Sequence, residues 1–582
     1  MSYDPAAANR PTARPPVART PRRHGPRRDH LDPRGARFLD PGTASRFEGQ
    51  HLQPTAYAGA GLLVRPGDDG EIDPEVLEAL LAATEAEDWA LEIDPVDRRL
   101  VELAGRAGVL RGGSNPLVVR ASLVRPVGDH RPRPAPDAWP VLQRYRTTVG
   151  AERYGAVQLQ HLLTTAAAGT DGRGMAPAPY VAHAPTANPY VAHAPTSNPY
   201  VAHAPQPAPY VAHPYVAHPT GSSASGATAE YAQPGWGGRA PVCWVGPAPT
   251  RRDAAGLGGR RRPVVAVLDT GTGRHPWLDR VVDRAPTCGP FRIGLVDPAT
   301  DIERLGVVTG TLTGSLDIEA GHGTFIAGLV HQRCPDATIL SVRVVQPDGV
   351  IDEYDVLSAL NMLWVRQALA HAEGDADELV DVVSLSLGYY HEDPRDAQFD
   401  PLLLAPLRAL AQLGVLVVTS AGNDATGREI FPASFAPHPD GHVRATPVTE
   451  VPLVAVGALN PDGTAALFSN DGPWVRAWRP GAALVSTVPT TFDGGRQPSS
   501  EVSTADGVRS TIDPDDFTSG FATWSGTSFA APILAGDLAG RLLDDRLARD
   551  AGDDGVDLDV ESRVEAGWRA VRAEVPEVEE PR

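Results

Sequence analysis

Short apolar runs and longer helical patterns alternate along the second half of the chain. Five runs rich in Val and Leu are predicted strands: Val264–Asp269, Ile339–Val345, Val382–Leu387, Val415–Thr419 and Val454–Ala458. Three intervening segments repeat apolar residues at helical spacing: His322–Gln332, Tyr354–His371 and Pro401–Leu413. Strands that are apolar throughout are typical of a mostly parallel sheet covered by helices on both faces. We therefore predict an α/β domain, with its ligand site at the carboxyl ends of the strands.

A smaller pattern precedes this domain, over residues 55–166. The apolar run 60–65 is followed by Asp73 and Pro74, an acidic cap and a first-turn proline that favour the start of a helix. Leu117–Val127 is a predicted strand. Three further segments have helical patterns: Val96–Ala107, Ala138–Thr148 and Glu152–Thr165. Together these elements predict a small N-terminal α/β segment.

Composition sets the remaining segments apart. Residues 1–54 are rich in Pro, Arg and Gly without periodicity, which predicts a disordered arm. In residues 167–240 the sequence Pro-Tyr-Val-Ala-His occurs five times, and proline at this density predicts an extended linker. The α/β domain then occupies residues 241–548. Residues 549–582 form an acidic tail with one short helical pattern near Val560–Val571.

The repeats suggest two functions besides that of a linker. Their five histidines are potential metal ligands, but no carboxylate or thiolate accompanies them within the repeat, so a plain linker is favoured. Regular Tyr and Pro also suit docking into the aromatic groove of a partner. Both functions stay open.

Charge and apolar content narrow the range of partners. The formal net charge of −20 argues against a nucleic-acid-binding protein, and three cysteines are too few for a disulfide framework. No stretch is long and apolar enough to span a membrane, and the N-terminus lacks the apolar core of a signal peptide. We therefore expect a cytoplasmic protein without a membrane partner, and leave non-standard export open.

Three short motifs carry the chemistry. Asp269 ends a strand in Val-Leu-Asp-Thr-Gly, His322 lies between glycines in Gly-His-Gly-Thr, and Ser528 opens a helix in Gly-Thr-Ser-Phe-Ala-Ala-Pro. An acid that orients a histidine, which in turn activates a serine, is the apparatus of nucleophilic catalysis. A serine at a helix start gains unpaired backbone N–H groups and the positive end of the helix dipole. Pro532 is expected in the first turn of this helix, where its missing N–H costs little.

Asn423 adds a fourth element. It ends the run Val-Thr-Ser-Ala-Gly-Asn, and its side-chain amide donates hydrogen bonds without carrying charge. Such a donor suits a developing oxyanion, together with the N–H of Ser528. Taken alone, Asn423 would more often be a turn residue.

The Asp269 motif has other interpretations. Leu-Asp-Thr-Gly is also the signature of aspartic proteases, in which two carboxylates share a proton. The chain has a single such motif, so that chemistry would require a homodimer. A purely structural aspartate at a strand end is the remaining alternative.

These motifs, in the order Asp, His, Ser, resemble those of subtilisin-like serine proteases, and the resemblance covers residues 263–543. It implies a three-layer fold, a triad of Asp269, His322 and Ser528, an oxyanion donor in Asn423, and no catalytic cofactor or metal. It further implies two substrate-binding segments: Ser386-Leu387-Gly388, which pairs with the substrate backbone, and Ser420-Ala421-Gly422, which lines the primary pocket. The expected reaction is hydrolysis of peptide bonds in protein or peptide substrates.

The motifs say less about regulation and about calcium binding than about catalysis. The N-terminal segment is similar to the small inhibitory propeptides that precede many subtilases, which suggests an autoinhibitory contact and cleavage in the linker. Acidic residues at 352–355 offer oxygen ligands for structural calcium, but an exposed helix cap is the favoured interpretation. Two other functions stay open: a catalytically silent peptide-binding module, and a signalling scaffold whose repeats recruit a partner for a protease effector.

Overall fold

Two seven-stranded sheets organise the protein. The computed structural model describes residues 35–45, 51–67, 70–94, 97–108, 116–132, 134–165, 231, 237–393, 402–438, 446–549 and 557–575. Almost all of the predicted linker, including every Pro-Tyr-Val-Ala-His repeat, lies outside the described residues. Among the described residues, no helix combines the length and apolar composition needed to cross a membrane.

The N-terminal domain contains an antiparallel sheet and three helices. Its strands are β1 (Ala36–Leu39), β2 (Thr55–Val64), β3 (Ala90–Ile93), β4 (Val119–Val124) and β5 (Val157–Thr165). Its helices are α1 (Pro74–Ala86), α2 (Asp97–Arg106) and α3 (Ala138–Thr148). Strand β1 pairs with β2, so the structure contradicts the prediction that the whole of residues 1–54 is a disordered arm. Pairing with the edge of β2 holds this segment extended, although its composition does not predict a strand.

Strand β5 corrects a second prediction. The segment 152–165 was expected to be helical, but only Ala151–Ala156 form a short 3-10 helix, and Val157–Thr165 is extended. Strand β5 pairs antiparallel with β2 inside the N-terminal domain. Its hydrogen-bonding partners are distant in sequence, and their pairing overrides the local helical pattern.

The second sheet is parallel throughout. Its strand order is β17-β16-β15-β13-β7-β11-β8, and each neighbouring pair is parallel. The strands from residue 240 onward are β6 (Ala240–Pro241), β7 (Val264–Asp269), β8 (Val282–Asp283), β9 (Thr287–Cys288), β10 (Phe291–Arg292), β11 (Thr338–Arg343), β12 (Val350–Asp352), β13 (Val382–Leu385), β14 (Leu387–Gly388), β15 (Leu416–Ser420), β16 (Leu453–Leu459), β17 (Val475–Pro480), β18 (Leu484–Thr487), β19 (Glu501–Thr504), β20 (Gly507–Ser510) and β21 (Phe521–Trp524). The five predicted strands are confirmed within a few residues.

Helices cover both faces of the parallel sheet, which confirms the predicted three-layer α/β fold. They are α4 (Ile302–Leu305), α5 (His322–Arg333), α6 (Glu353–Glu373), α7 (Leu404–Gln412), α8 (Thr527–Ala548) and α9 (Val560–Glu574). Helices α5, α8 and α9 pack on one face, and α6 and α7 pack on the other. Helix α9 buries Trp568 and Val571, so the helix predicted in the acidic tail is part of the core.

The N-terminal domain docks through strand β5. One edge of β5 pairs antiparallel with β12, and its last two residues pair with β14. Leu63 and Leu163 join the hydrophobic core on the α6 face of the parallel sheet. The sheet of one domain therefore continues into the other, and hydrogen bonds as well as apolar packing hold the two together.

Candidate active site

The predicted acid and histidine meet at the carboxyl edge of the parallel sheet. Asp269 ends β7, and His322 is the first residue of α5. Nδ1 of His322 lies 2.7 Å from Oδ1 of Asp269, and both side chains are buried. Oδ1 of Asp269 also accepts a hydrogen bond from the N–H of Thr270, at 2.8 Å. Burial alone would lower the pKa of His322, but the adjacent Asp269 carboxylate outweighs it and raises the pKa above its usual value.

The predicted nucleophile lies at the start of a helix that packs against α5. Ser528 is the second residue of α8 and is buried, with Oγ 3.5 Å from the carbonyl oxygen of Ser386. The ring of His322 packs against Phe529 and Trp524, at centroid distances of 5.1 and 5.6 Å. Nε2 of His322 has no hydrogen-bond partner among the described residues, so it retains an acceptor site for a proton.

Pro532 corrects one expectation about this helix. It is the sixth residue of α8, inside the helix rather than in its first turn. A proline there leaves the carbonyl of the residue four positions earlier without its helical donor, and that residue is Ser528. The hydroxyl of Ser386 donates to this carbonyl at 2.8 Å. Pro532 thus allows Ser386, next to β14, to fix the backbone of the predicted nucleophile.

Asn423 lies beside the start of the same helix. Its Oδ1 accepts hydrogen bonds from the N–H and the hydroxyl of Thr527, at 3.0 and 2.9 Å. These bonds fix which end of the amide faces the helix. The Nδ2 end, which can only donate, is therefore turned away from Thr527.

The two predicted substrate-binding segments flank these groups. Leu387 and Gly388 form β14, whose register partners in β5 are Thr165 and Thr164. Ser420 ends β15, and Ala421 and Gly422 follow it. All three residues are buried, and Gly422 has a φ of 97°, which favours glycine. The first segment thus binds an extended strand in this structure, and that strand belongs to the N-terminal domain.

Two buried glutamates near the predicted triad were missed in the sequence. Glu303 accepts hydrogen bonds from the Thr270 hydroxyl at 2.5 Å and the N–H of Gly321 at 3.0 Å. Burial raises its pKa to about 7. Burial also raises the pKa of Glu319, whose carboxylate accepts a hydrogen bond from Thr165. No motif marks either residue, because Glu303 lies in the one-turn helix α4 and Glu319 in a turn before α5, and the sequence pattern predicts the path of neither segment.

The acidic residues at 352–355 do not form an exposed cap. Glu353 is buried, and its Oε2 lies 2.8 Å from Nδ1 of His161 in the N-terminal domain. Among the residues that the structure describes, one group of side chains has the composition and spacing of metal ligands: His161, His391 and Glu392.

Comparison with known proteins gives a family match for the domain that contains these residues. Residues 260–544 match the model of the subtilase family. The chain is 28% identical over 228 residues to an intracellular serine protease of Paenibacillus polymyxa, covering 38% of this chain and 52% of the relative. It is 28% identical over 273 residues to a thermophilic serine proteinase of Bacillus sp. (strain AK1), covering 47% and 50%. The chain therefore spans about half the length of these curated relatives.

Matches to solved structures cover a similar share of the chain. A cold-adapted subtilisin-like serine proteinase is 20% identical, with a TM-score of 0.32 and coverage of 55% of this chain and 85% of that chain. A lanthipeptide protease is 22% identical, with the same TM-score of 0.32 and coverage of 49% and 74%. From the family match, the chain carries, in residues 260–544, a domain of the subtilase family.

Proposed function

We propose that this protein is a serine endopeptidase that hydrolyses peptide bonds through an acyl-enzyme. The observation that carries the proposal is the 2.7 Å contact between His322 and Asp269, together with the packing of the His322 ring, at a centroid distance of 5.1 Å, on Phe529, the residue that follows a serine at a helix start. In this proposal Ser528 is the nucleophile, His322 is the base and Asp269 orients the imidazole. Asn423 and the N–H of Ser528 stabilise the oxyanion.

The proposed reaction proceeds in two halves. Oγ of Ser528 attacks the carbonyl carbon of the scissile bond while Nε2 of His322 takes its proton. The imidazolium then protonates the leaving amine, and the acyl group remains on Ser528. In the second half His322 takes a proton from water, whose oxygen attacks the acyl carbon. The imidazolium then returns that proton to Oγ of Ser528 as the bond between Oγ and the acyl carbon breaks, and the product acid is released. Asp269 stays ionised and stabilises the imidazolium in both halves.

We propose that substrates bind as an extended strand between β12 and β14. The antiparallel pairing of β5 with both strands supports this mode of binding, because it shows that their backbone groups accept a third strand. Main-chain pairing gives affinity with little dependence on sequence. Side-chain pockets along the cleft then supply selectivity.

We further propose that the N-terminal domain inhibits the enzyme in cis. Strand β5 ends at Thr165, which pairs with Leu387. The residue before Leu387 is Ser386, whose carbonyl oxygen lies 3.5 Å from Oγ of Ser528. The carboxyl end of β5 thereby lies beside the segment that contacts the predicted nucleophile. Cleavage in residues 166–240 would separate the inhibitor from the enzyme.

A fluorophosphonate probe tests the catalytic proposal. The full chain should become labelled once its N-terminal domain has been released, and the Ser528→Ala chain should not. The matched control is Ser525→Ala, which removes a neighbouring buried hydroxyl and should retain the label. Absence of label on the wild-type chain after the N-terminal domain is removed would instead support a silent peptide-binding module.

Self-processing has a separate test. Wild type and Ser528→Ala are purified in parallel and compared on a gel and by intact mass. Wild type should yield a fragment that begins shortly after Thr165, and Ser528→Ala should remain full length. An N-terminal segment that stays attached in both proteins would refute self-processing without affecting the catalytic proposal.

A further inference from the structure

A buried charged cluster joins the two domains at strand β5. The ring of His161 is fully buried, with Nδ1 2.8 Å from Oε2 of Glu353 and Nε2 2.7 Å from Oε2 of Glu392. The backbone N–H of His161 also donates to Oε2 of Glu353, at 2.8 Å. Glu353 begins helix α6, and Glu392 follows β14 by four residues. The histidine thus comes from the N-terminal domain and both carboxylates from the catalytic domain.

The geometry requires a cation at this position. A neutral imidazole has one N–H and one acceptor nitrogen, whereas both nitrogens of His161 face carboxylate oxygens. Because ionised carboxylates can only accept, both nitrogens donate when Glu353 and Glu392 are ionised, and the ring is then an imidazolium. Tyr389 stacks on the ring at a centroid distance of 4.3 Å and an angle of 25°, which favours a cation further.

The other groups around His161 do not replace its charge. Nδ1 of His391 lies 3.6 Å from Glu392 but accepts the N–H of Asp393 at 3.0 Å, so that nitrogen carries no proton. Burial accordingly lowers the pKa of His391. The charge of Arg146 also acts on Glu392, and Arg146 belongs to helix α3 of the N-terminal domain. When that domain leaves, the cations His161 and Arg146 leave with it.

A shared metal ion fits this cluster less well than a proton. Ligand atoms around a tetrahedral zinc at about 2.0–2.1 Å stand roughly 3.3 Å apart. Nε2 of His161 and Oε2 of Glu392 are 2.7 Å apart, which is the length of a charge-assisted hydrogen bond.

Alternate side chains of β5 enter the catalytic domain. His161 meets Glu353 and Glu392, Leu163 joins the α6-side core, and Thr165 donates to Glu319. This period of two is that of any extended strand, so a substrate in the same cleft would place its own side chains at the same three sites.

We propose that Glu353 and Glu392 form an acidic subsite of the cleft that binds a cationic side chain, imidazolium or guanidinium, four residues before the residue that faces Leu387. His161 occupies this subsite in cis. The inference rests on the proposed peptidase function, and it defines a substrate class: an extended strand with a cation, an apolar residue and a small hydroxyl residue at alternate positions.

The choice of histidine makes occupancy in cis depend on pH. Burial would lower the pKa of His161, but Glu353 and Glu392 raise it to about 10 in the docked state. A pKa raised by docking means that the contact is fully stabilising below about pH 6.5, the pKa of the undocked histidine. The stabilisation weakens as pH rises from there and is lost above about pH 10.

The first test uses the full chain carrying Ser528→Ala, so that no self-cleavage intervenes. Adding His161→Gln should lower Tm by about 5 °C at pH 6, because a neutral amide cannot satisfy two buried carboxylates. The drop should shrink to less than half at pH 9. His130→Gln, which alters an exposed histidine of the same domain, is the control and should leave Tm unchanged. No drop, or an equal drop at both pH values, would overturn the proposal.

The same chain tests the metal alternative. Tm should be the same with EDTA and with added Zn²⁺. A decrease with EDTA that Zn²⁺ reverses would assign the cluster to a metal ion and overturn the proton-held contact.

The second test measures selectivity in trans. Two fluorogenic peptides span residues 158–170 and carry either His161→Arg or His161→Gln. The processed wild-type enzyme should prefer the arginine peptide by at least about tenfold in kcat/KM, as expected for charge-assisted hydrogen bonds. Glu353→Gln or Glu392→Gln should reduce that ratio below about threefold, and Glu373→Gln, an exposed residue of the same helix, should preserve it.

The outcomes separate the two proposals. Equal cleavage of both peptides by wild type refutes the acidic subsite and leaves the peptidase intact. Failure to cleave either peptide, together with the expected Tm shifts, refutes the peptidase and supports the His161 contact.

Discussion

Asp381 allows a quantitative prediction about stability. It precedes strand β13, at the edge of the parallel sheet opposite the candidate active site, and its side chain is 2% exposed. Oδ1 accepts from Arg261 and Arg546, each at 2.6 Å, and from Arg563 at 3.3 Å. Oδ2 accepts the N–H of Val264 at 2.8 Å. One carboxylate thus pairs with three buried guanidinium groups, which come from the segment before β7, from α8 and from α9.

Asp381→Asn keeps the shape and removes the charge. Breaking a buried ion pair by removing one partner costs about 3–5 kcal/mol, because the other charge is left uncompensated. Asp557 remains 3.1 Å from Arg546 and 3.5 Å from Arg261, so part of the compensation survives. We therefore expect a loss near the middle of the range, about 4 kcal/mol in the free energy of unfolding.

The assay is urea-induced unfolding of the Ser528→Ala chain with and without Asp381→Asn. Asp545→Asn is the control, because Asp545 is 30% exposed and pairs with Arg569, which is 53% exposed. Exposed pairs contribute about 0–1 kcal/mol, so this variant should unfold nearly as the parent does.

The effect should also depend on pH in one direction. Burial would raise the pKa of Asp381, but Arg261, Arg546 and Arg563 hold it far below its usual value. A depressed pKa stabilises the fold above about pH 4, the value in the unfolded chain, and the stabilisation is lost as pH falls. The difference between parent and Asp381→Asn should therefore shrink under acid conditions. A difference below about 1 kcal/mol at pH 7 would refute this reasoning.

Further predictions concern the processed enzyme. Asn423→Ala should lower kcat by about 10²–10³ with little change in KM, a range taken from the loss of this type of donor in subtilisin itself; an unchanged kcat would remove Asn423 from the oxyanion site. Gly323→Ala should lower kcat/KM by about 100-fold, because the added Cβ would collide with the carbonyl oxygen of Gly271 and displace the adjacent His322. A wild-type kcat/KM would show that the segment around Gly271 moves to accommodate the Cβ without displacing His322. Because Asp269 raises the pKa of His322 and the base must be neutral, kcat/KM should rise with pH through a value above 6.5, the usual pKa of histidine; a midpoint below that value would contradict the assignment. Glu303→Gln keeps on its amide oxygen the hydrogen bonds from Thr270 and Gly321 and loses only the one that Oε2 accepts from Thr324, so it should retain most activity, whereas Glu303→Ala should lower kcat/KM by about tenfold; equal rates for the two variants would show that those bonds do not position the site.

The sequence predicted the parallel sheet well because its strands are uniformly apolar. Val264–Asp269 has the same bounds in the prediction and in the structure. Local sequence also marked the start of α5 at His322 and of α3 at Ala138, where spacing and caps act within one turn. These features depend on residues that are close together in the chain, so a single sequence is enough to predict them.

The failures share a different physical cause. Strand β5 was predicted to be helical, and its extended form depends on pairing with β2, β12 and β14, which lie about one hundred to two hundred residues away. Pro532 was placed one turn too early, and its consequence for the Ser528 carbonyl depends on a hydroxyl from Ser386. Glu353 was expected to be an exposed cap because the sequence does not show that His161 covers it. Long-range pairing decided each of these cases.

Strand β5 occupies the hydrogen-bonding edges of both β12 and β14, so any peptide that pairs with these strands must first displace it. While the two domains share one chain, this competitor is present at an effective concentration on the order of millimolar. A peptide at micromolar concentration therefore meets an occupied cleft, whatever the chemistry at Ser528. Once the connecting chain is cut, the concentration of the competitor falls to that of the protein itself. Dilution below the dissociation constant of the two parts would then vacate the cleft, so under the proposed cleavage the abundance of the protein would set how accessible its cleft is.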